Sequence, residues 1–253
     1  MKDWDISINY GIKTGCNEAF IIDEAKRAEL IRSDPKSAEI IRPILRGRDI
    51  KRYGYEWANQ YLIVTHNGYR DNSGSDVPPL NINDYQAIKA HLYEHWDAIS
   101  TRTDRGITPY NLRNCAYMDD FSKQKIVWGN LNLKAQYVLV DEVIYVNAPS
   151  PIITPGSEYL LAFLNSAIGD WWIKLVGVGR SGGFLEYKPM FVESFPVPLP
   201  TYDVANELSQ LVRIRMSTEN TVDIAKTENK INQLIFSTYN LTKEEIKEMD
   251  ELV

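Results

Sequence analysis

Cysteine is scarce: Cys16 and Cys115 are the only two among 253 residues, they lie far apart, and neither belongs to a Cys-x-x-Cys. A reduced, cytoplasmic protein is the simplest reading. Residues 1–20 have no basic start followed by an apolar run, so no signal peptide is expected. No long uninterrupted apolar run occurs either. The most apolar stretch, Tyr159 to Val178, is broken by Asn165, Ser166, Asp170 and Lys174, which favours a buried helix over a membrane span. Catalytic signatures are also missing. There is no Asn-Pro-Pro-Tyr or Asp-Pro-Pro-Tyr of the kind that holds a flipped adenine. A strand-borne glycine motif for S-adenosylmethionine, an Asp…Glu-x-Lys nuclease cluster and a Ser/His/Asp arrangement are equally absent. No self-sufficient catalytic constellation is left.

An excess of positive charge is lacking too. The net charge is −6, which speaks against nucleic acid until its distribution is read. Residues 201–253 hold 6 basic and 10 acidic side chains, against 22 and 24 in the other 200 residues. The body is therefore near balance and the tail is acidic. Basic side chains gather at 42–52, and again at Arg102, Arg105, Arg113, Lys123 and Lys125. A basic face on a neutral body is one reading; ordinary solvated charge is the plainer one.

What is present is a chain of 44% apolar and 25% charged residues, long enough for one large domain or one domain with an appendage. Short runs rich in β-branched and aromatic residues predict strands at Ile6–Tyr10, Ala19–Ile22, Tyr61–Thr65, Lys125–Gly129, Gln136–Val140 and Val143–Val146. Asp141-Glu142 has the look of a tight hairpin turn between the last two. Apolar spacing predicts a helix over Asp84–Ser100 and an almost wholly apolar one over Glu158–Val176. Pro196, Pro198 and Pro200 mark a boundary. Helical stripes follow, Val204/Leu208/Leu211/Val212 and Ile224/Ile231/Leu234/Ile235, and Thr242 to Glu245 spells a capping box. The expected fold is α+β: a mixed, partly barrel-like β-sheet body over 1–200 with a central buried helix, then a small C-terminal helical bundle over 201–253.

Three short motifs mimic known chemistry. His91-Leu-Tyr-Glu94-His95 is an H-x-x-E-H pattern, in which two histidines one helical turn apart share a zinc. Only His66 remains as a further histidine, and an amphipathic helix with histidines at its apolar edge explains the run as well. Gly177-Val-Gly179-Arg-Ser-Gly182 spells G-x-G-x-x-G, but a helix precedes it where the dinucleotide fingerprint needs a strand. A loop that another backbone can approach closely is the more natural reading. Lys13-Thr14 lacks the glycine before the lysine that a Walker motif requires.

Two blocks say more. Gly11-Ile-Lys-Thr-Gly-Cys-Asn-Glu-Ala-Phe-Ile-Ile-Asp23 is a glycine-bounded turn running into an apolar segment. Arg42-Pro-Ile-Leu-Arg-Gly-Arg-Asp-Ile-Lys-Arg-Tyr53 carries five basic side chains, Arg42, Arg46, Arg48, Lys51 and Arg52, with only Asp49 opposing. Together they resemble the opening of the C-terminal target-recognition domain of Taq-type adenine-specific DNA methyltransferases and type IIG restriction–modification enzymes. The resemblance continues in order through Pro79–Leu92, Thr101–Arg113, Lys123–Trp128, Tyr159-Leu-Leu-Ala-Phe-Leu-Asn-Ser166, Phe195-Pro-Val-Pro-Leu-Pro200 and Ile231–Ile246. Members of that family usually carry a methyltransferase domain upstream, and many a nuclease. This chain is accordingly expected to be a fragment, a truncated gene product or a separate specificity subunit.

The resemblance implies a non-catalytic module that fixes the register of double-stranded DNA while a partner adenine methyltransferase domain or subunit works on a flipped base. S-adenosylmethionine belongs to that partner; this chain is expected to hold neither cofactor nor metal. Arg42, Arg46, Arg48, Lys51 and Arg52 are the candidates for phosphate contact, against a solvated turn with a salt bridge to Asp49. Candidate base readers are Asn67, Arg70, Asn130, Asn132 and Arg180, polar side chains on loops. The tail is expected to pack on the methyltransferase domain or on a second copy. Competing readings are a specificity subunit of a type I-like or phage-defence system, a small zinc hydrolase built on His91, Glu94 and His95, and a protein-interaction module without DNA.

Overall fold

The computed structural model describes residues 1–252, so Val253, at the end of the tail, lies outside the described residues. The chain is α+β, as its patterning implies. Its frame is an antiparallel sheet in the order Ser7–Tyr10, Pro151–Thr154, Lys125–Trp128, Tyr137–Val140. The last three strands are buried at every position. Successive side chains of a strand point to opposite faces. Val127, Val138, Val140 and Ile152 therefore enter one core, and Ile126, Trp128, Tyr137, Leu139 and Ile153 enter a second.

The first core is closed by another sheet, in the order Tyr145–Val146, Ile41–Leu45, Gln60–Ile63, Ile21–Asp23. The described strands form open sheets, and no barrel closes among them. Asp141-Glu142 is not a hairpin turn. Tyr145–Val146 leaves its sequence neighbour Tyr137–Val140 and pairs in parallel with Ile44 and Leu45 in the other sheet. Ala19-Phe20 is likewise not strand: Asn17–Phe20 is one helical turn, and the strand starts at Ile21. The Asp84–Ser100 helix divides into Gln86–Glu94 and Trp96–Thr101 at His95.

The second core holds the central helix, which also divides in two. Glu158–Leu164 is buried throughout from Tyr159 to Leu164, capped by the Ser157 side chain on the Leu160 N–H. It ends because Asn165, fully buried, turns its amide to the frame. Asn165 Nδ2 donates to the Tyr137 carbonyl at 2.9 Å, and its Oδ1 accepts from the Tyr137 N–H at 3.0 Å. The side chain thus completes the ladder of the edge strand. Ser166 then caps Ala167–Val176.

The tail forms helices Tyr202–Ser217, Thr221–Thr238 and Lys243–Leu252. Leu208, Val212, Ile231 and Ile235 join the second core. The Thr242–Glu245 capping box is formed: the Thr242 N–H meets Glu245 Oε2 at 2.8 Å, and the Glu245 N–H meets Thr242 Oγ1 at 3.2 Å. No helix among the described residues is long and apolar enough to cross a membrane.

The seam between the two sheets is the loop Asn147–Ser150, which carries the chain from the second sheet to the frame. Gly11 and Ile12 are laced onto it: the Gly11 N–H donates to Ser150 O at 2.8 Å, and the Ala148 N–H to Ile12 O at 3.0 Å. Gly11 has to be glycine, since a Cβ there would run into the Val146 carbonyl.

Candidate nucleic-acid interface

A groove of 1010 Å³ opens at this seam. Four segments wall it: the turn Arg46–Lys51, the loop Gly129–Gln136, the seam loop Asn147–Ser150, and the hairpin Arg180–Glu186. Arg46, Arg48, Lys51, Asn130, Asn132 and Arg180, six of the ten residues singled out in the sequence, line it together. Arg42, Arg52, Asn67 and Arg70 lie outside.

The turn is built by its own acid. Gly47–Asp49 makes one 3₁₀ turn, and the Asp49 carboxylate accepts from the Arg46 N–H at 2.8 Å and from Arg46 Nε and Nη2 at 3.0 and 2.9 Å. Arg46 is thereby clamped as a fork. Arg48 is exposed, with no side-chain partner among the described residues. Lys51 Nζ donates to the Arg48 carbonyl at 3.1 Å and lies 3.6 Å from Glu56. Gly47 lets the turn close on the seam, because a Cβ there would meet Ser150 Oγ at 3.0 Å.

On the facing wall, Asn132 is buried and donates to the Gly129 carbonyl at 2.7 Å. Asn130 Oδ1 is buried with no partner among the described residues. The glycine loop is a hairpin with Gly182 and Gly183 at φ of 77° and 80°; a helix precedes it and the two-residue strand Leu185–Glu186 follows. That strand pairs with Leu131–Asn132, which ties the hairpin to the Asn130/Asn132 loop. Arg180 gives both Nε, at 2.8 Å, and Nη2 to Glu186 Oε1, while Lys188 holds Glu186 Oε2 at 2.6 Å. Lys188 first, then Arg180, keeps the Glu186 carboxyl below its ordinary range. The groove lining carries four cations, Arg46, Arg48, Lys51 and Arg180, against one carboxylate, Glu186.

The four residues outside have other employment in the free chain. Arg42 donates to the carbonyls of Ala38, Glu39 and Ile41. Arg52 pairs with Glu228 of the tail at 2.8 Å. Asn67 accepts from the Ile107 N–H at 2.7 Å and donates to Asn114. Arg70 Nε donates to Gly74 O at 2.8 Å within its own hairpin.

The second basic group does not form a face. Arg102 is buried on the carbonyls of Thr14, Asp104, Pro109 and Asn111 with Phe20 under its guanidinium, and burial pushes it down to about 10. It is the pin that joins the Gly15 turn to segment 104–111. Lys125 is fully buried on the carbonyls of Phe121, Lys123 and Glu142, at 2.9–3.2 Å.

Two smaller clefts continue the groove past the seam loop. One, of 270 Å³, lies along Lys13–Asn17; the next, of 580 Å³, lies between Tyr10–Lys13 and Arg113–Tyr117. Both share Ala148 with the groove. Lys13 and Arg113 converge there on Asp104 at 2.9 and 3.2 Å. The Gly11–Gly15 block was a signal for this extension; the Asn147–Ser150 loop offered none beyond polarity.

The H-x-x-E-H run does not assemble a metal site. The helix ends at His95, and His91 is buried with Nε2 at 3.0 Å from the Ala19 carbonyl. Among the described residues no three His, Cys, Asp or Glu side chains stand where they could hold a metal ion.

Comparison with known proteins gives a family and a fold. Residues 42–197 match the TaqI-like C-terminal specificity domain. Among solved structures, the chain is similar to the type IIL restriction–modification enzyme MmeI, determined in complex with DNA, with a TM-score of 0.74 and 13% identity, covering 99% of this chain and 36% of that one. It is also similar to the type IIG restriction endonuclease BpuSI, with a TM-score of 0.52 and 10% identity over 93% of this chain and 31% of that one. The chain thus spans about a third of either enzyme. No curated protein matches it.

Proposed function

The chain belongs to the TaqI-like C-terminal specificity domain family, and on that premise we propose that its seam groove reads the sequence of double-stranded DNA for a restriction–modification system. The observation that carries this reading is the convergence of six separately nominated residues on one cationic groove. Arg48 and Lys51 supply mobile charge for phosphates, which fixes register without reading sequence. Arg46 is pre-oriented by Asp49 and adds a rigid contact at the same turn. On the opposite wall, Arg180 commits Nε and one Nη2 hydrogen to Glu186. Nη1 and the second Nη2 hydrogen stay available as an end-on pair, the geometry that matches O6 and N7 of guanine. Asn130 and Asn132 stand beside it on the paired strand as further base readers.

The chemistry lies in a partner. The chain positions duplex DNA so that an adenine methyltransferase domain or subunit, holding S-adenosylmethionine, receives a nucleotide rotated from the stack. Whether a nuclease acts at the same site is a property of that partner. The acidic tail lies outside the DNA path and faces protein.

Selection from a randomised duplex pool at near-physiological salt tests the reading. An enriched motif of several base pairs is expected, with a retention that falls steeply as salt rises. Absence of retention at low salt by folded protein would overturn it.

A further inference from the structure

One tail side chain reaches the place where two groove walls end. Glu228, on helix Thr221–Thr238, takes Arg52 on Oε2, with Nε at 2.9 Å and Nη2 at 2.8 Å, and Arg215 Nε on Oε1 at 2.6 Å. The ring of Tyr53 is flanked by both guanidiniums, 5.5 Å from Arg52 and 5.0 Å from Arg215. Tyr53 is buried, in the left-handed region at φ 62°, and its N–H donates to Tyr137 O at 2.9 Å. Arg52 Nη1 also donates to the Ala135 carbonyl at 3.3 Å.

The chain positions make this more than tail packing. Arg52 directly follows Lys51, the end of one groove wall. Ala135 directly precedes Gln136, the end of the facing wall. The Ala135 N–H is held in turn by Asp170 at 2.6 Å. Burial opposes the charge on Glu228, but Arg52 and Arg215 outweigh it and keep the carboxyl ionised. Without that carboxylate, two guanidiniums would stand beside Tyr53 in a half-buried site, with only Asp170, beyond ion-pair distance, to offset the charge of Arg52. Arg52 is then driven outward, and its hold on Ala135 is lost.

We infer that Glu228 is a positioning residue: through Arg52 it fixes the spacing of the Arg46–Lys51 turn and the Gly129–Gln136 loop, so the tail sets the geometry of the groove. Its consequence for selectivity rests on the proposed function; the brace itself does not.

Amide hydrogen exchange on the full chain decides the brace. Glu228→Gln is expected to speed exchange by about tenfold in peptides spanning 46–53 and 130–137, and to leave 158–164 unchanged. Glu158→Gln, which breaks an exposed tail-to-body pair with Arg213, is expected to change neither wall. Unaltered walls in Glu228→Gln, or equal acceleration everywhere, would overturn the brace. If that variant does not fold, Glu228→Asp, which keeps the charge but shortens the arm, is read by the same criteria. Pool selection decides the coupling. A blurred motif in Glu228→Gln, with low-salt retention within about threefold of wild type, supports it. A motif as sharp as wild type overturns it. Failure of wild type to retain DNA removes the proposed function and the coupling, while the exchange result on the brace stands.

Discussion

Arg46 and Arg48 sit two residues apart in the same groove wall, yet their replacement should have opposite signatures. Arg48 is exposed and makes no side-chain hydrogen bond or ion pair among the described residues, so Arg48→Ala should alter stability by no more than about 0.5 kcal/mol. If it meets a phosphate, each lost contact lowers the slope of log K against log salt by about 0.9. Arg46 is different. Its fork holds Asp49, whose side chain is only 5% exposed. Arg46→Ala leaves that carboxylate half-paired and unfolds the cap of the turn, at a cost of about 1–3 kcal/mol. For a chain of this size that is a fall in melting temperature of about 2–4 °C per kcal/mol. The assay is fluorescence anisotropy on a fixed duplex at several salt concentrations, paired with thermal melts of each variant. Arg48→Ala binding with an unchanged salt slope would refute the assignment of this turn to phosphate.

Other perturbations test the frame and the reading wall. Arg180→Ala should relax the selected motif at one position, by about 1–3 kcal/mol of discrimination, and pool sequencing should show the other positions as sharp as in wild type. Asn165→Ala leaves the Tyr137 N–H without its acceptor, while the Tyr137 carbonyl keeps the Tyr53 N–H, which should cost about 1–3 kcal/mol in urea unfolding; a loss below about 0.5 kcal/mol would mean the edge finds other partners. Burial pushes the Lys125 amine down to about 8. The unfolded chain, with an ordinary lysine, then binds more protons than the folded one between pH 8 and roughly 10.4. This group therefore adds stability as pH rises from 8, and the gain should be visible by pH 9.5, before buried tyrosines act in the opposite sense. Lys125→Met should abolish that rise in paired denaturation curves at pH 7.5 and 9.5, and an identical rise in the variant would assign it to other groups.

Much of the frame is legible in the sequence, because its strands are short β-branched runs and its caps are local. Lys125–Trp128, Tyr137–Val140 and the Thr242 capping box fall where patterning puts them. Two of the misreadings share one cause, a partner distant along the chain. Asn165 breaks an apolar run for the sake of Tyr137, 28 residues earlier. Val143–Val146 abandons a hairpin for Ile44 and Leu45. Arg102 and Lys125 look solvated as letters and are buried because backbone carbonyls surround them. Of the groove walls, the basic turn, the Asn130 loop and the glycine hairpin stand out by composition, whereas the Asn147–Ser150 seam becomes visible only when the two sheets meet. Arg52 belongs to the same lesson: its charge is conspicuous in the run, and its partner Glu228 lies 176 residues away.

The antiparallel sheet with two dry faces has a consequence for how such a chain can change. Each of its central positions answers to one core or the other, so a slip of one residue would exchange the contents of both at once. A polar replacement there has no water to turn to on either side. The strands are thus the least substitutable part of the molecule. The groove turns outside the frame carry side chains held by their own carboxylates, Arg46 by Asp49 and Arg180 by Glu186. An exposed side chain there, such as Arg48, can be exchanged without renegotiating the interior, whereas Arg46, which holds the buried Asp49, cannot. The exposed positions of the groove turns can therefore vary one at a time, each exchange altering a single patch of the groove while the frame stays as it is.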